Sequence, residues 1–488
     1  YRIGFSTSHQ LITGKSPHVI TLSNEVITFD SVNTVGEKPI ANRGLNKVTL
    51  LEIDGFSRNN ALDRLPGTMI RSYGGLAGIT TVSMDGGQAV HTKVLLDGID
   101  LTNAQNGLTD LSDIPLALMQ NVYLSRSPNI HYGSGSFDGV VQIRSLFNQS
   151  FIHFGIGSFG YLNSSGGFSH ATANTNFQLQ IGQTSSNGNY SFKQNGATNS
   201  RLNNDYEQRF ISGHYQRHTS SNRILKGSIL AVGHNCGVAG ALSWPSPKAR
   251  RKNNLLLAGF ESIQILEKGY LRLQAFQRTS DEEFRDEGTD SQHKVGSSEI
   301  KIHGQYQLTR LIGMDGFSTI KFESIESTDT GKRERDIKTL GFQILAHPIN
   351  SFIIKPGLRS DIIDTTNVIT TDVEITLDLE TIGKFSIIIG TGFHIPSFND
   401  LYWPSDPYSK GNPDLVTENS EFRIIRWNNV LAEKLDYTIE YRERQSDNLI
   451  VWAADENDIW KPQNLDSTDR KNLIISAFIP ASSSGFTL

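Results

Sequence analysis

An all-β protein preceded by a smaller α+β domain is the fold class this sequence predicts, and three observations predict it. From about residue 150 onward, apolar and polar residues alternate strictly, run after run. The connections between these runs alternate in length. The first 150 residues follow neither habit, showing instead short apolar runs set between glycine-rich turns. Composition agrees, since 44 glycines, 25 phenylalanines and 14 tyrosines in 488 residues suit a chain of many strands and turns.

Taken in order, the leading domain carries a short helix over 57–65, with Ser57 as N-cap and Leu65-Pro66-Gly67 as its stop. Short strands follow at 82–84, 93–96, 121–124 and 140–144. The long β region then shows its pattern plainly. Phe177, Leu179 and Ile181 alternate with Asn176, Gln178 and Gln180. Ile300, Ile302, Tyr306 and Leu308 oppose Lys301, His303, Gln305 and Gln307, and Tyr437, Ile439 and Tyr441 oppose Asp436, Thr438, Glu440 and Arg442. Side chains of a strand point to opposite faces in turn, so each run has one apolar and one polar surface. Such runs place strands at 151–157, 162–170, 174–183, 208–217, 222–232, 254–264, 269–278, 294–308, 317–326, 337–347, 351–361, 368–378, 383–392, 420–428, 433–443, 448–454 and 472–479. That is about seventeen strands, many near the ~9 to 11 residues that cross a bilayer at a tilt.

Short links such as Glu267-Lys268-Gly269 and Pro348-Ile349-Asn350 tie hairpins, whereas long polar stretches at 184–207, 233–253, 279–293 and 393–419 separate other pairs. Short turns at one end and long loops at the other are the layout of an outer-membrane barrel. A large soluble β-sandwich would alternate too. Polar faces rich in Gln, Lys and Glu over their full length favour the barrel.

Other classes are excluded. Only 37% of residues are hydrophobic and the mean hydropathy is -0.32, with no run near the ~18 to 20 apolar residues of a membrane-spanning helix. The net charge of -5 comes without a basic block, so no nucleic-acid partner is expected. A single cysteine, Cys236, excludes a disulfide framework and any multi-cysteine metal site. The sequence does not open on a basic and apolar leader but at Tyr1 in what already reads as strand, so the chain is expected to start inside a longer precursor.

Several motifs together resemble the plug of TonB-dependent outer-membrane receptors. They are Leu65-Pro66-Gly67, Ile70-Arg71, Gly74-Gly75-Leu76-Ala77-Gly78, the run Val94-Leu95-Leu96-Asp97-Gly98-Ile99-Asp100-Leu101, Asp110-Leu111-Ser112-Asp113-Ile114-Pro115, and Tyr132-Gly133-Ser134-Gly135 continuing to Gly139-Val140-Val141. Far downstream, Gly392-Phe393-His394-Ile395-Pro396-Ser397-Phe398-Asn399-Asp400-Leu401-Tyr402, then Lys410-Gly411-Asn412-Pro413-Asp414-Leu415 and Glu418, resemble the family's barrel motif. The overall spacing is most similar to the cobalamin and siderophore receptor group. The resemblance implies residues 1–22 as the end of a carboxypeptidase-regulatory-like β-sandwich, 23–35 as an energy-coupling box and linker, 36–148 as a plug in the lumen, and 149–488 as a transmembrane β-barrel of about 22 strands. The box itself would be Glu25, Val26, Ile27 and Thr28 within Asn24 to Thr28, a segment that adds as a strand to a periplasmic partner.

Two departures stand out. Met84-Asp85-Gly86 occupies the place where the family plug usually reads Ile-Arg-Gly, which puts the ionic contacts of a buried arginine in doubt. About seventeen strands also fall short of the ~22 that leave a plugged lumen, and the expectation is a piece cut at both ends and lacking about five C-terminal strands.

Chemistry is sparse. Gly155-Ile156-Gly157-Ser158-Phe159-Gly160 matches the dinucleotide fingerprint in letters, but strands on both sides make it the turn of the first barrel hairpin. No nucleophile elbow, zinc-protease or phosphate-loop motif occurs, so no enzyme, no cofactor and no metal site is expected. His214 and His303 read as solvated lumen residues. The cluster Asp281, Glu282, Glu283, Asp286, Glu287 and Asp290 reads as a solvated extracellular loop rather than a calcium site. Val94 to Leu96 and Val140 to Ile143 read as core, and Asp97-Gly98 as a turn.

Transport must then rest on binding and gating. In the resemblance, ligand is held between plug apices and long loops, which here offers Tyr73, Gln88, His91, Asn103, Gln105 and Asn106 from the plug, with Trp244, Tyr402, Trp403 and Tyr408 from the loops. The same aromatics could equally be interfacial belt residues. The leading reading is import of a scarce bulky ligand, of cobalamin or ferric-siderophore type, across the outer membrane of a Gram-negative bacterium. Its partners would be the inner-membrane TonB complex, outer-membrane lipid and a small-molecule or metal-chelate ligand. A second reading is a glycan or peptide importer working with a surface lipoprotein, and a third is a soluble β-rich adhesin.

Overall fold

The computed structural model describes residues 46–49 and 67–478, apart from 77, 128, 195, 380–381 and 432–434. The expected helix at 57–65, the segment 1–22, the box at 25–28 and residues 479–488 lie outside the described residues.

The leading domain contains β1 (Asn46–Thr49), β2 (Thr68–Ser72), β3 (Thr80–Met84), β4 (Thr92–Leu96), β5 (Ile99–Asp100), β6 (Met119–Ser125) and β7 (Gly139–Ser145). Five of these form one sheet in the order β1-β6-β7-β4-β5, with β4 parallel to β7, while β2 and β3 pair as a separate hairpin. Val94, Leu96, Val122, Leu124, Val141 and Ile143 meet in its core. These are alternate positions along β4, β6 and β7, so each strand turns one face into the core and the other away from it.

The second region is one antiparallel sheet of sixteen strands among the described residues. It begins with β8 (Phe151–Gly157), β9 (Tyr161–Ala171) and β10 (Thr175–Ser186); β11 (Tyr190–Gln194) and β12 (Ala197–Arg201) form a hairpin within a connection. Next come β13 (Tyr206–Ser220) and β14 (Arg223–Gly237), a second connecting hairpin of β15 (Gly240–Ala241) and β16 (Trp244–Pro245), and then β17 (Arg250–Leu266), β18 (Gly269–Asp286), β19 (Thr289–Gln307) and β20 (Ile312–Ser327). The sheet continues through β21 (Gly331–Ile349), β22 (Phe352–Ile363), β23 (Thr366–Asp378) and β24 (Lys384–His394). After the short helix α1 (Phe398–Tyr402) it ends with β25 (Glu418–Leu431), β26 (Leu435–Ala454) and β27 (Trp460–Phe478). Each strand pairs with its sequence neighbour in the sheet, and β8 and β27 are the two ends of the order.

Burial in this sheet runs inside out. On β10, Gln180 is fully buried while its neighbour Ile181 is 57% exposed. On β19, His303 is buried and Ile300 and Ile302 are exposed. Apolar residues facing outward around polar ones facing inward are what a wall between lipid and a polar lumen requires. The sheet wraps the leading domain, because strands from one end of the order to the other reach it. Gln180 donates to Leu146 O (2.7 Å), Gln208 to Ser112 O (2.8 Å), Arg359 to Ile130 O (2.8 Å) and Asn472 to Asp85 O (2.9 Å). The lumen is not uniformly polar. Phe210, Leu230, Val232, Leu255 and Leu257 point inward and join the core of the leading domain.

Three sequence expectations need correction. The strands expected at 433–443 and 448–454 are one strand, β26, whose pattern is interrupted where Asn448 takes φ 60°. The long loop expected at 279–293 is not a loop. There β18 and β19 run on to a two-residue turn that holds Glu287, and the other acidic residues sit in the ladder, where Arg251 binds Glu282 (2.8 Å) and Arg285 contacts both Glu283 and Asp290. His303 and His214 face inward as expected but are not solvated, for both meet the leading domain's side chains or those packed against them. As expected, Gly155 to Gly160 form the β8–β9 hairpin, with Phe159 and Gly160 both at positive φ.

Candidate functional site

The interface between the inner domain and the barrel wall carries most of the buried charge. Asp138, buried within the lumen, accepts from Arg444 on β26 and Arg470 on β27. Asp85 meets Arg442, so the position that lacks the expected arginine makes an ionic contact of reversed sign, the inner domain supplying the anion and the barrel the cation. His91 bonds Glu418 (2.8 Å) and lies over Phe137 with ring centroids 4.7 Å apart. Asp100 accepts from Lys93 (3.2 Å) and Lys321 (3.1 Å), and Lys321 and Arg335 both reach Glu323 (2.8 and 2.6 Å).

These contacts set the acidity of the inner domain's carboxylates. Burial alone would raise Asp100, but the ammonium groups of Lys321 and Lys93 outweigh it and hold the carboxyl well below the usual range. Burial likewise opposes Asp97, yet hydrogen bonds from His214 and Ser145 and the charge of Arg144 leave it lowered. Asp97 sits at φ 50° before Gly98 at φ 90°, so it makes the expected turn and also anchors Ser145 through its backbone N–H (3.0 Å) and hydroxyl (2.5 Å). Asp85 moves the other way: burial pushes it up, with Glu440 and Asp138 adding to this against Arg442 and Arg126.

The long connections all emerge at one end of the sheet, and the inner domain's apical turn reaches them. Asn103 Oδ1 accepts from Gln105 N (2.9 Å), Asn106 Oδ1 accepts from Leu108 N (3.0 Å), and Gly107 at φ 73° closes the turn onto Asn103 O (2.8 Å). That turn docks backbone to backbone on α1, with Phe398 N donating to Ala104 O (3.1 Å) and Asn399 N to Gln105 O (2.7 Å). A capping box between Ser397 and Asp400 starts the helix, and Trp452 donates to Asp400 (2.9 Å). Arg333 lies over the Tyr402 ring at 4.4 Å, Trp403 donates to Ser409 (3.0 Å), and Asn412 ties the loop to β27 through Pro462 O (3.0 Å).

The residues singled out from sequence therefore fall into two groups. Tyr73, Gln88, Asn106, Trp244 and Tyr408 are exposed. His91 and Gln105 are buried in contacts between domain and wall, while Asn103, Tyr402 and Trp403 are half-buried in the docked turn and loop. Sequence reading missed the wall cations Arg359, Arg444 and Arg470. Alternation puts Arg444 on the same face as Glu440 and Arg442, but nothing local shows that the plug partners of the two arginines, Asp138 and Asp85, lie some three hundred residues earlier.

Comparison with known proteins bears on what this assembly is. Residues 49–140 match the family model for the TonB-dependent Receptor Plug Domain. The chain belongs to the TonB-dependent receptors. The receptor is 25% identical over 466 residues to the vitamin B12 transporter BtuB of Photobacterium profundum, spanning 90% of this chain and 74% of that one. It is 23% identical to BtuB of Vibrio vulnificus, spanning 94% and 76%. Among solved structures it is similar to the siderophore receptor PirA from Acinetobacter baumannii (TM-score 0.73, 13% identity, 90% of this chain and 78% of that chain). The FrpB iron transporter of Neisseria meningitidis (F3-3 variant) shares the fold at TM-score 0.76 and 10% identity, over 90% and 77% of the two chains. The inner domain is thus the plug and the sixteen-stranded sheet the barrel wall of an outer-membrane receptor, a transporter rather than an enzyme. Its work is TonB-dependent import, with the inner-membrane TonB complex as partner.

Proposed function

We propose that this receptor imports a scarce, bulky ligand of cobalamin or ferric-siderophore type. The observation that carries the mechanism is the seal between plug and wall. The cavity along it, lined by Lys93, Asp100, Lys321, Arg335 and His394, is about 90 Å³, against the ~300 to 1,000 Å³ of pockets that enclose a drug-sized ligand. That cavity is too small to hold a ligand of that class, which supports capture outside followed by movement of the plug. Capture falls to the end bearing the long loops, where the exposed Tyr73, Asn106, Trp244 and Tyr408 offer aromatic and amide surface. The relatives named above, vitamin B12 transporters and a siderophore receptor, support the ligand class.

Energy enters through residues 25–28, which add as a strand to the TonB partner. Deleting 24–28 from the receptor should abolish uptake and leave ligand binding intact; uptake that survives the deletion would sink the coupling role. A thermal-shift screen against cobalamin, heme and several siderophores identifies the ligand, and stabilisation by none of them would sink the proposed class.

A further inference from the structure

Among the described residues, one group of side chains brings two imidazoles and a carboxylate together where plug and barrel meet. His131 comes from the plug, His303 from β19 and Asp315 from β20, and one ligand atom of each lies within 4.8 Å of the others. All three residues are buried. The pairing register sets His303 opposite Phe317 and Asp315 opposite Gln305, so the two barrel residues are diagonal neighbours on the lumen face. His303 Nε2 lies 2.9 Å from Asp315 Oδ2, and His131 Nε2 lies 3.7 Å from Asp315 Oδ1.

We propose that His131, His303 and Asp315 bind one divalent transition-metal ion of the zinc class, which clamps the plug to the barrel wall. Imidazole and carboxylate suit such an ion, at ligand bonds of about 2.0 to 2.2 Å and hence ligand-to-ligand edges of about 3.3 Å. The carboxylate reaches one imidazole with each oxygen, at 2.9 and 3.7 Å, and one ligand atom of each residue lies within 4.8 Å of the others, so the three must draw in by up to about 1.5 Å around an ion. Three protein ligands leave a fourth position open, to be filled by water.

The ligands are held from behind, as metal sites require. The plug segment carrying His131 is fixed on every side: Asn129 Oδ1 accepts from His131 N (2.9 Å), Ile130 O accepts from Arg359 (2.8 Å), and Tyr132 O accepts from Lys93 (2.9 Å). The ring itself packs on Phe317 at 4.8 Å. On His303 the second nitrogen, Nδ1, lies 3.5 Å from Tyr270 OH, leaving Nε2 for the metal.

Three cations lie nearby. Arg359 is bound by Asp361 through two bonds (2.6 and 2.7 Å), Lys301 sits over the Phe317 ring at 5.1 Å, and Arg272 over Tyr270 at 5.3 Å. Asp315 Oδ1, the oxygen that faces His131, is buried and accepts no hydrogen bond among the described residues. A buried carboxylate oxygen without a donor is costly, and a bound cation removes that cost.

The test uses the whole receptor in detergent, dialysed against Co²⁺ or Zn²⁺ alone. The wild type should take up one tightly bound Co²⁺ with visible ligand-field absorption and melt at higher temperature with Zn²⁺. His303→Gln, which keeps size and a hydrogen-bonding group, and Asp315→Asn should each weaken binding about tenfold or more and abolish the visible band, while His218→Gln on the exposed surface should not. Hydrogen exchange of plug residues 119–145 should slow with Zn²⁺ in the wild type only. Equal stoichiometry and spectrum in wild type, His303→Gln and Asp315→Asn would overturn the site. Binding without slowed plug exchange would overturn the clamp. If either variant fails to fold, His131→Gln, which lies in a plug turn outside the barrel ladder, carries the same comparison.

Discussion

Replacing Asp138 by Asn tests whether buried ion pairs hold the plug in the barrel. Asp138 is fully buried and lies on the plug, while its two partners, Arg444 and Arg470, lie on barrel strands β26 and β27. The substitution keeps shape but leaves two arginines facing a neutral amide, one of them buried. Removing one partner of a buried pair costs roughly 3 to 5 kcal/mol, because the remaining charge is left uncompensated out of water. The barrel's own ladder is untouched, so the cost should fall on docking and shift the docked-to-undocked ratio by about two to three and a half orders of magnitude, at ~1.4 kcal/mol per factor of ten. Hydrogen exchange read by mass spectrometry in plug strands β6 and β7 should accelerate accordingly, while exchange in β18 to β20 stays as in the wild type. Adding Arg444→Met to Asp138→Asn should recover part of the loss. Plug exchange that changes by less than about threefold would refute the reasoning, and would mean that apolar contacts such as those of Leu255 and Leu257 with the plug core suffice.

Two further outcomes follow from the same structure. Because Asp97 is held below its ordinary value in the folded plug, its contribution is present above the unfolded value near ~3.9 and is lost as pH falls through the lower folded value; plug protection measured from pH 6 down to pH 3 should fall, and Asp97→Asn should flatten that fall while costing stability at neutral pH. On the outer face, Leu340 is 68% exposed, and Leu340→Arg should destabilise the barrel in lipid by about 2 to 4 kcal/mol if it lies near the bilayer midplane; a folding titration in vesicles that shows no change would contradict a lipid-facing position.

How much of this was legible beforehand depends on the range of the interaction. The hairpin at Gly155 to Gly160 was readable because a strand–turn–strand needs only neighbouring residues. Asp97-Gly98 announced its turn, yet gave no sign that the same carboxylate anchors Ser145. The acidic run at 281–290 looked like a loop because its charge is solvated in isolation; in the fold, Arg251 and Arg285 hold it in the ladder. β26 looked like two strands because one residue at positive φ breaks the alternation without breaking the pairing. The Met84-Asp85-Gly86 departure was visible, but its consequence, an anion facing Arg442, was not.

By itself the sequence determined the face that most barrel side chains would take, since alternation has a period of two; where the inner face is apolar too, as at Leu230, Val232, Leu255 and Leu257, it did not. It determined the plug's core strands and the family's motifs in the same local way. Only the tertiary structure decided which charges meet. Asp138 with Arg444, His91 with Glu418 and His131 with Asp315 join residues from roughly two to three hundred positions apart. Such pairs form because a polar group sealed between plug and wall must find its partner there, and which partner is within reach is settled by how the barrel wraps the plug.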